Sequence, residues 1–124
     1  MECLSREAKK VFFLENYFEA LKVLEKNLKS LKNINNYEII KNDCFSFFDK
    51  SESVNSKYDV IFIDPPYKEL KINEIIEKII RNKILNKNGI MIIHRHKKDT
   101  VVLTKKINVI EERCYGISKI YFCN

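Results

Sequence analysis

Val60-Ile61-Phe62-Ile63-Asp64-Pro65-Pro66-Tyr67 is the stretch on which the reading of this chain turns. Four consecutive apolar residues, all β-branched or aromatic, read as a strand buried on both faces, as in a parallel sheet. Asp64, two prolines and Tyr67 then close it. Pro66 holds Pro65 in extended geometry, so the backbone carbonyls at the corner are aimed in advance. In open α/β sheets, ligands bind at the carboxyl ends of the strands. A carboxylate and carbonyls there accept N–H bonds, and a tyrosine ring stacks, so the corner suits a flat ring carrying an exocyclic amine. The plainer reading of the same residues is a strand stopped by prolines, with a surface tyrosine.

Working outward, Val11-Phe12-Phe13-Leu14 is a second apolar run, ending in Glu15. Asn16 resembles an N-cap, with Glu19 as its capping-box partner. Tyr17, Leu21, Leu24, Leu28 and Leu31 recur at helical spacing and predict a helix over 17–32. Residues 37–41 read as a strand. Asp43 follows and could cap a short helix carrying Phe45, Phe47 and Phe48. Ile72, Ile75, Ile76, Ile79 and Ile80 mark a second helical face. Asn86-Lys87-Asn88-Gly89 predicts a turn, and Ile90-Met91-Ile92-Ile93 a buried strand running into His94. The tail from Val101 suggests two strands with no helix between them, hence an antiparallel hairpin at one sheet edge. Strands alternating with helices predict an α/β sheet with helices on both faces. No repeat or linker divides the chain, so residues 1–124 read as one domain.

The chain has 124 residues, 45% hydrophobic and 32% charged, a balance that places it among globular chains. No apolar run reaches the roughly 20 residues of a membrane helix. The first residues lack a basic-then-apolar signal layout, so a cytoplasmic location without membrane association is expected. The four cysteines, Cys3, Cys44, Cys114 and Cys123, form no C-x-x-C pair and no zinc spacing, so reduced thiols and no metal are expected. A net charge of +6 fits a nucleic-acid partner, although a lysine-, isoleucine- and asparagine-rich genome gives the same excess. Glu15, Asp43 and Asp64 each follow a strand and would line one rim of a parallel sheet. An acid after the second strand of a dinucleotide-type fold bonds ribose hydroxyls, a role open to Glu15; helix capping explains Asp43 equally well. His94-Arg95 could touch phosphate or a base, or belong to a solvated basic loop.

Together these pieces resemble the class I S-adenosylmethionine-dependent methyltransferases, and within them the bacterial RsmD family, which methylates a guanine exocyclic amine in small-subunit ribosomal RNA. Glu2-Cys3-Leu4-Ser5-Arg6-Glu7-Ala8 is similar to the family's E-A-L-S-R-G-A stretch, and Phe62 to Tyr67 to its catalytic corner. Tyr115-Gly116 followed by Ile120-Tyr121-Phe122 resembles its closing strand. The resemblance implies a Rossmann-like sheet with S-adenosylmethionine as cofactor. It implies Asp64, Pro65, Pro66 and Tyr67 as catalytic residues, and Glu15 with Asn16, Asp43 with Cys44, and Asp64 as cofactor contacts. It also implies Tyr67, Lys68, His94 and Arg95 as RNA contacts, and the small ribosomal subunit or its RNA as partner. The corner is shared with adenine-amino DNA methyltransferases, which makes a DNA enzyme the alternative in substrate.

One departure matters. The chain has two glycines, Gly89 and Gly116, so no glycine-rich turn can stand beside the Glu15 strand. That loop is what lets backbone approach a cofactor closely. The resemblance therefore implies a sheet lacking its first strand, with open edges on the Glu15 and Asp64 strands. Those strands would close up, or a second copy or partner chain would fill the gap, or the chain is a shortened product. A non-catalytic remnant that still binds RNA is the other functional class.

Overall fold

The computed structural model describes residues 9–31, 35–41, 57–64, 71–99 and 102–124. The chain forms two compact units, Met1–Phe47 and Phe48–Asn124.

In the first unit, β1 (Val11–Glu15) pairs in parallel with β2 (Tyr37–Lys41), and α1 (Phe18–Lys29) connects them. Helix α1 is shorter than the spacing predicts. Its N-cap is Tyr17, which makes no side-chain cap bond, so the expected Asn16–Glu19 capping box does not form. Instead the Glu15 carboxylate accepts the backbone N–H groups of Asn16 and Tyr17 at 3.1 and 3.0 Å. Glu15, one position earlier, has already taken the Asn16 N–H to which the Glu19 side chain would reach back in a capping box. Glu19 in the first turn and Lys26 and Lys29 in the last complement the helix dipole. Leu21 and Leu28 are the helix residues that are buried.

The second unit begins with β3 (Tyr58–Ile63), α2 (Ile72–Arg81) and β4 (Leu85–His96). It ends with β5 (Val109–Tyr115) and β6 (Ser118–Cys123), and its sheet order is β3-β4-β6-β5. β3 and β4 are parallel, as expected of a strand–helix–strand unit, and β6 runs antiparallel to both neighbours, so the expected closing hairpin is present. Gly116 forms the start of its two-residue turn with φ +57°, a conformation in which glycine carries no side-chain penalty. Alternation along β4 buries Met91, Ile93 and Arg95 and leaves His94 and His96 part-exposed. The stripe Ile72, Ile75, Ile76 and Ile79 of α2 is buried as well, and with Met91, Ile93 and Cys123 it makes up the core of this unit. Burying one such side chain contributes roughly 1.5–3 kcal/mol. The Asn73 side chain ties the segment after β4 to the helix: it donates to the Val102 carbonyl and accepts from the Thr104 N–H, both at 2.8 Å.

One expectation needs correction here. The predicted turn at 86–89 lies inside β4. Cα partners step from Tyr58↔Leu85 to Val60↔Ile90, so those residues are extra length on β4, pinned by an Asn86–Asp59 side-chain bond of 2.7 Å. Gly89 sits so close to its neighbours that a Cβ would lie 3.0 Å from the Asp59 carbonyl oxygen and 2.8 Å from Leu85 Cδ1, which explains the glycine. The actual turn comes earlier, at Asn82-Lys83, where Lys83 has φ +51°. The described strands form two sheets, β1-β2 in the first unit and β3-β4-β6-β5 in the second. β3 stands at one end of its sheet, with Val60 and Phe62 exposed.

At the other end, β5 is exposed throughout and carries Glu111, Glu112 and Arg113. Such charges discourage strand addition at an open edge. Arg113 bonds Glu111 and Lys119 bonds Glu112, each at 2.7 Å. The hydrogen bond to Glu111 raises the Arg113 pKa, and the bond to Glu112 raises that of Lys119.

The cysteines of the hairpin differ sharply. Cys114 is exposed, whereas Cys123 is buried and burial raises its pKa. Thiolate is the nucleophile, so both access and ionisation disfavour reaction at Cys123. Brief iodoacetamide treatment of the native protein followed by peptide mass spectrometry should label Cys114 at least tenfold faster than Cys123, with the rates converging in urea. Equal native rates would mean that the edge of this sheet opens readily.

Candidate active site

Within the second unit, the parallel register Ile63↔Ile93 brings the residue after β3 beside the last turns of the β4 ladder. Asp64 and His94 meet there: Nδ1 of His94 lies 2.8 Å from Oδ1 of Asp64. A carboxylate only accepts hydrogen bonds, so the imidazole supplies the hydrogen at Nδ1. The Asp64 side chain is 56% exposed and that of His94 32%, so the pair is open to a ligand rather than sealed in the core. The pair belongs to strands fixed by neighbours: β4 is bonded to β3 on one side and to β6 on the other, with His94 opposite Ile120.

Arg95 departs from expectation. The resemblance implies it, with His94, as an RNA contact, but alternation turns it to the opposite face. It is 5% exposed and forms an ion pair with Asp99 four residues on, so it is not available to phosphate in this structure. The basic stretch 94–98 is likewise no simple loop: its first three residues end β4, and only Lys97 and Lys98 turn out of the sheet. Asp99 was not singled out from the sequence; its only signal was the i, i+4 spacing from Arg95. The Asp64–His94 contact was also not foreseen, since only the pairing register brings residues thirty apart together.

In the first unit, Glu15 ends β1 at the carboxyl end of a parallel pair, the place where a ribose-binding acid is expected. One of its oxygens is held by the Asn16 and Tyr17 N–H groups, which fixes the carboxylate and leaves the second oxygen to accept from hydroxyls. Asn16 offers its backbone to that arrangement. Asp43, Cys44, Pro65, Pro66, Tyr67 and Lys68 lie outside the described residues. Among the described residues no three His, Cys, Asp or Glu side chains gather as a metal site, and no helix is long and apolar enough to cross a membrane.

The comparison with known proteins settles the lineage. The family described as Conserved hypothetical protein 95 matches residues 1–124. The chain belongs to this family. Ribosomal RNA small subunit methyltransferase D of Buchnera aphidicola is 31% identical over 130 residues, covering 100% of this chain and 64% of its own. The protein of the same name in Haemophilus influenzae is 29% identical over 117 residues, covering 94% and 60%. A Haemophilus influenzae crystal structure superposes with a TM-score of 0.79 at 28% identity, over 98% of this chain and 76% of that one. The resemblance read from the sequence is thus borne out at the level of family, and the α/β fold is that of the Rossmann-like methyltransferases. The chain spans about three fifths of the length of the curated relatives it matches.

Proposed function

We propose that the chain is the catalytic part of an S-adenosylmethionine-dependent methyltransferase acting on the exocyclic amine of a guanine in small-subunit ribosomal RNA. The observation that carries the reading is the placement of Asp64: an accessible carboxylate at the carboxyl end of a parallel strand, in a chain whose relatives are named ribosomal RNA methyltransferases. Residues 1–124 serve as one partial domain in this reading. Glu15, already anchored on one oxygen, fits the ribose hydroxyls of the cofactor, and Asn16, Asp43 and Cys44 are the other cofactor contacts in this reading. The bound cofactor supplies a methyl group on a sulfonium, electrophilic without further activation. Asp64 and the Pro65 carbonyl accept the amino hydrogens and point the nitrogen lone pair, and Tyr67 stacks on a base turned out of its helix, the habit of enzymes acting on bases. Lys68 meets the adjoining phosphate. No proton need leave before attack; Asp64 takes it afterwards. Alignment of this kind supplies on the order of 7–11 kcal/mol of a barrier.

The glycine count bears on this reading, because Gly89 and Gly116 both come far after β1 in the sequence. The backbone turn that cradles the cofactor is not found among these residues, and a second copy with the same two glycines would not supply it; the end position of β3 leaves an edge at which a strand from another segment or a partner chain can pair. The same glycine count favours a second reading, a non-catalytic remnant that binds RNA through its positive charge.

Calorimetry with S-adenosylmethionine separates the two. Saturable binding is expected, and Glu15→Ala should weaken it tenfold to a hundredfold, since a hydrogen bond to a charged group contributes about 1.5–3 kcal/mol. Circular dichroism should show an unchanged fold. Silence from the parent chain, alone and mixed with the matching segment of a longer relative, would favour the remnant. Transfer of labelled methyl to naked DNA and not to small-subunit particles would move the assignment to a DNA enzyme.

A further inference from the structure

We propose that His94 is a positioning residue: its Nδ1–H holds one oxygen of the Asp64 carboxylate and so aims the other at the substrate amine. The inference rests on the reading of Asp64 given above and assigns His94 a task different from contact with RNA. Three observations converge on it. The contact is short, 2.8 Å, between groups thirty residues apart. The two partners differ in rigidity: His94 stands on a strand laddered on both sides, whereas Asp64 follows the last residue of an end strand. And Asp64 is more than half exposed, so no packing of its own fixes the carboxyl plane.

An aspartate χ2 is a broad, roughly two-fold torsion. Without an anchor, both oxygens sample many directions and a bound amine finds the acceptor misplaced much of the time. A donor on a rigid strand selects one plane, occupies Oδ1 and leaves Oδ2 presented. His94 itself touches neither bond in the transfer. The N–C bond forms and the S–C bond breaks without it, and the proton released from the amine goes to Asp64 at its free oxygen. A histidine serves because its ring reaches across one strand spacing while its donor remains in place whether the ring is neutral at Nε2 or protonated there.

The test uses the whole chain and nuclear magnetic resonance. Long-range 15N correlation spectra should show His94 with hydrogen on Nδ1 and an unprotonated Nε2 in the neutral ring, the less common tautomer in water. Asp64→Ala should return it to the Nε2–H form. Three-bond couplings, which report χ1, should give Asp64 one dominant χ1 rotamer in the parent, because the bond that fixes the carboxyl plane also holds the side chain about χ1. They should average in His94→Leu and return to one rotamer in His94→Asn, whose amide nitrogen stands where Nδ1 stood. An Nε2–H tautomer in the parent, or Asp64 couplings indifferent to His94→Leu, would overturn the proposal. The tautomer is read on the parent chain, so a variant that fails to fold does not leave the question open. In methyl transfer, His94→Leu should lower kcat about tenfold with KM little changed, and His94→Asn should restore most of it. These spectra do not depend on turnover. A chain with the expected spectra but no transfer would count against the proposed function and not against the clamp.

Discussion

Asp64→Asn is expected to reduce methyl transfer by about a hundredfold to a thousandfold, the range seen when one preorganised electrostatic contact to a reacting group is removed. Asparagine has the same size but a different inventory. It presents an NH2 group as well as a carbonyl, and the amine it must meet presents only hydrogens on the side that needs an acceptor. If the asparagine carbonyl turns to His94, the amide NH2 faces the substrate and repels it. If it turns to the substrate, the NH2 faces the Nδ1–H of His94, at the position where the 2.8 Å bond now lies. The first arrangement sets donor against donor, the second requires the His94 ring to move its hydrogen to Nε2, and in both the carboxylate that takes the amine's proton is gone. The loss should fall in kcat more than in KM, because base stacking and phosphate contacts remain. Thermal stability should move little, since the Asp64 side chain is 56% exposed. The measurement is incorporation of labelled methyl from S-adenosylmethionine into small-subunit ribosomal RNA, with the chain in whichever assembly shows transfer. Parent-level turnover by the variant would remove Asp64 from the chemistry and with it the proposed corner.

Ile76→Ala should destabilise the second unit by about 2–5 kcal/mol, the usual range for truncating a fully buried aliphatic side chain. Ile76 is 0% exposed and sits in the stripe with Ile72, Ile75 and Ile79. Intrinsic propensity pulls the other way. Alanine is the best helix former, and isoleucine is worse by less than about 0.7 kcal/mol. The cavity term is several times larger, so packing decides the sign. Helix α2 has only ten residues, fewer than the roughly 12–15 at which isolated helices become even marginal in water, so it depends on the sheet it covers. Ile80, 36% exposed on the same helix, provides the contrast: Ile80→Ala should cost under about 1 kcal/mol. Urea unfolding followed by far-ultraviolet circular dichroism measures both. Equal losses would mean that the stripe does not face the core. Since whole domains are stable by only about 5–15 kcal/mol, the Ile76 variant should also unfold at clearly lower urea.

Much of this was legible before any coordinates. The apolar runs at 11–14, 58–63 and 90–93 became strands because β-branched and aromatic side chains fit a pleated surface, although the burial on both faces expected of β3 does not hold: Val60 and Phe62 are exposed. The isoleucine spacing in 72–80 became a helix for an equally local reason, one stripe at a 3.6-residue period. Elsewhere local signals competed with tertiary ones and lost. Asn-Lys-Asn-Gly is turn chemistry in isolation, yet the β3 ladder and the Asn86–Asp59 bond draw it into β4. Asn16 is a good cap in isolation, yet Glu15 takes the Asn16 N–H that a capping box needs, and Tyr17 stands at the N-cap position instead. Arg95 looked like part of a basic surface because charge composition has no direction; the two-residue period of β4 turned it inward, where Asp99 meets it.

By itself, then, the order of residues determined the element types, the parallel strand–helix–strand unit, the closing hairpin and the acids at the ends of β1 and β3, since all of these follow from periodicity and from side-chain preferences within a few residues. Tertiary structure alone decided which side chains meet across strands. The register of β3 on β4 is a long-range choice, made by the burial of Ile63, Met91 and Ile93 together, and that choice set a histidine against Asp64 and hid an arginine one position further on.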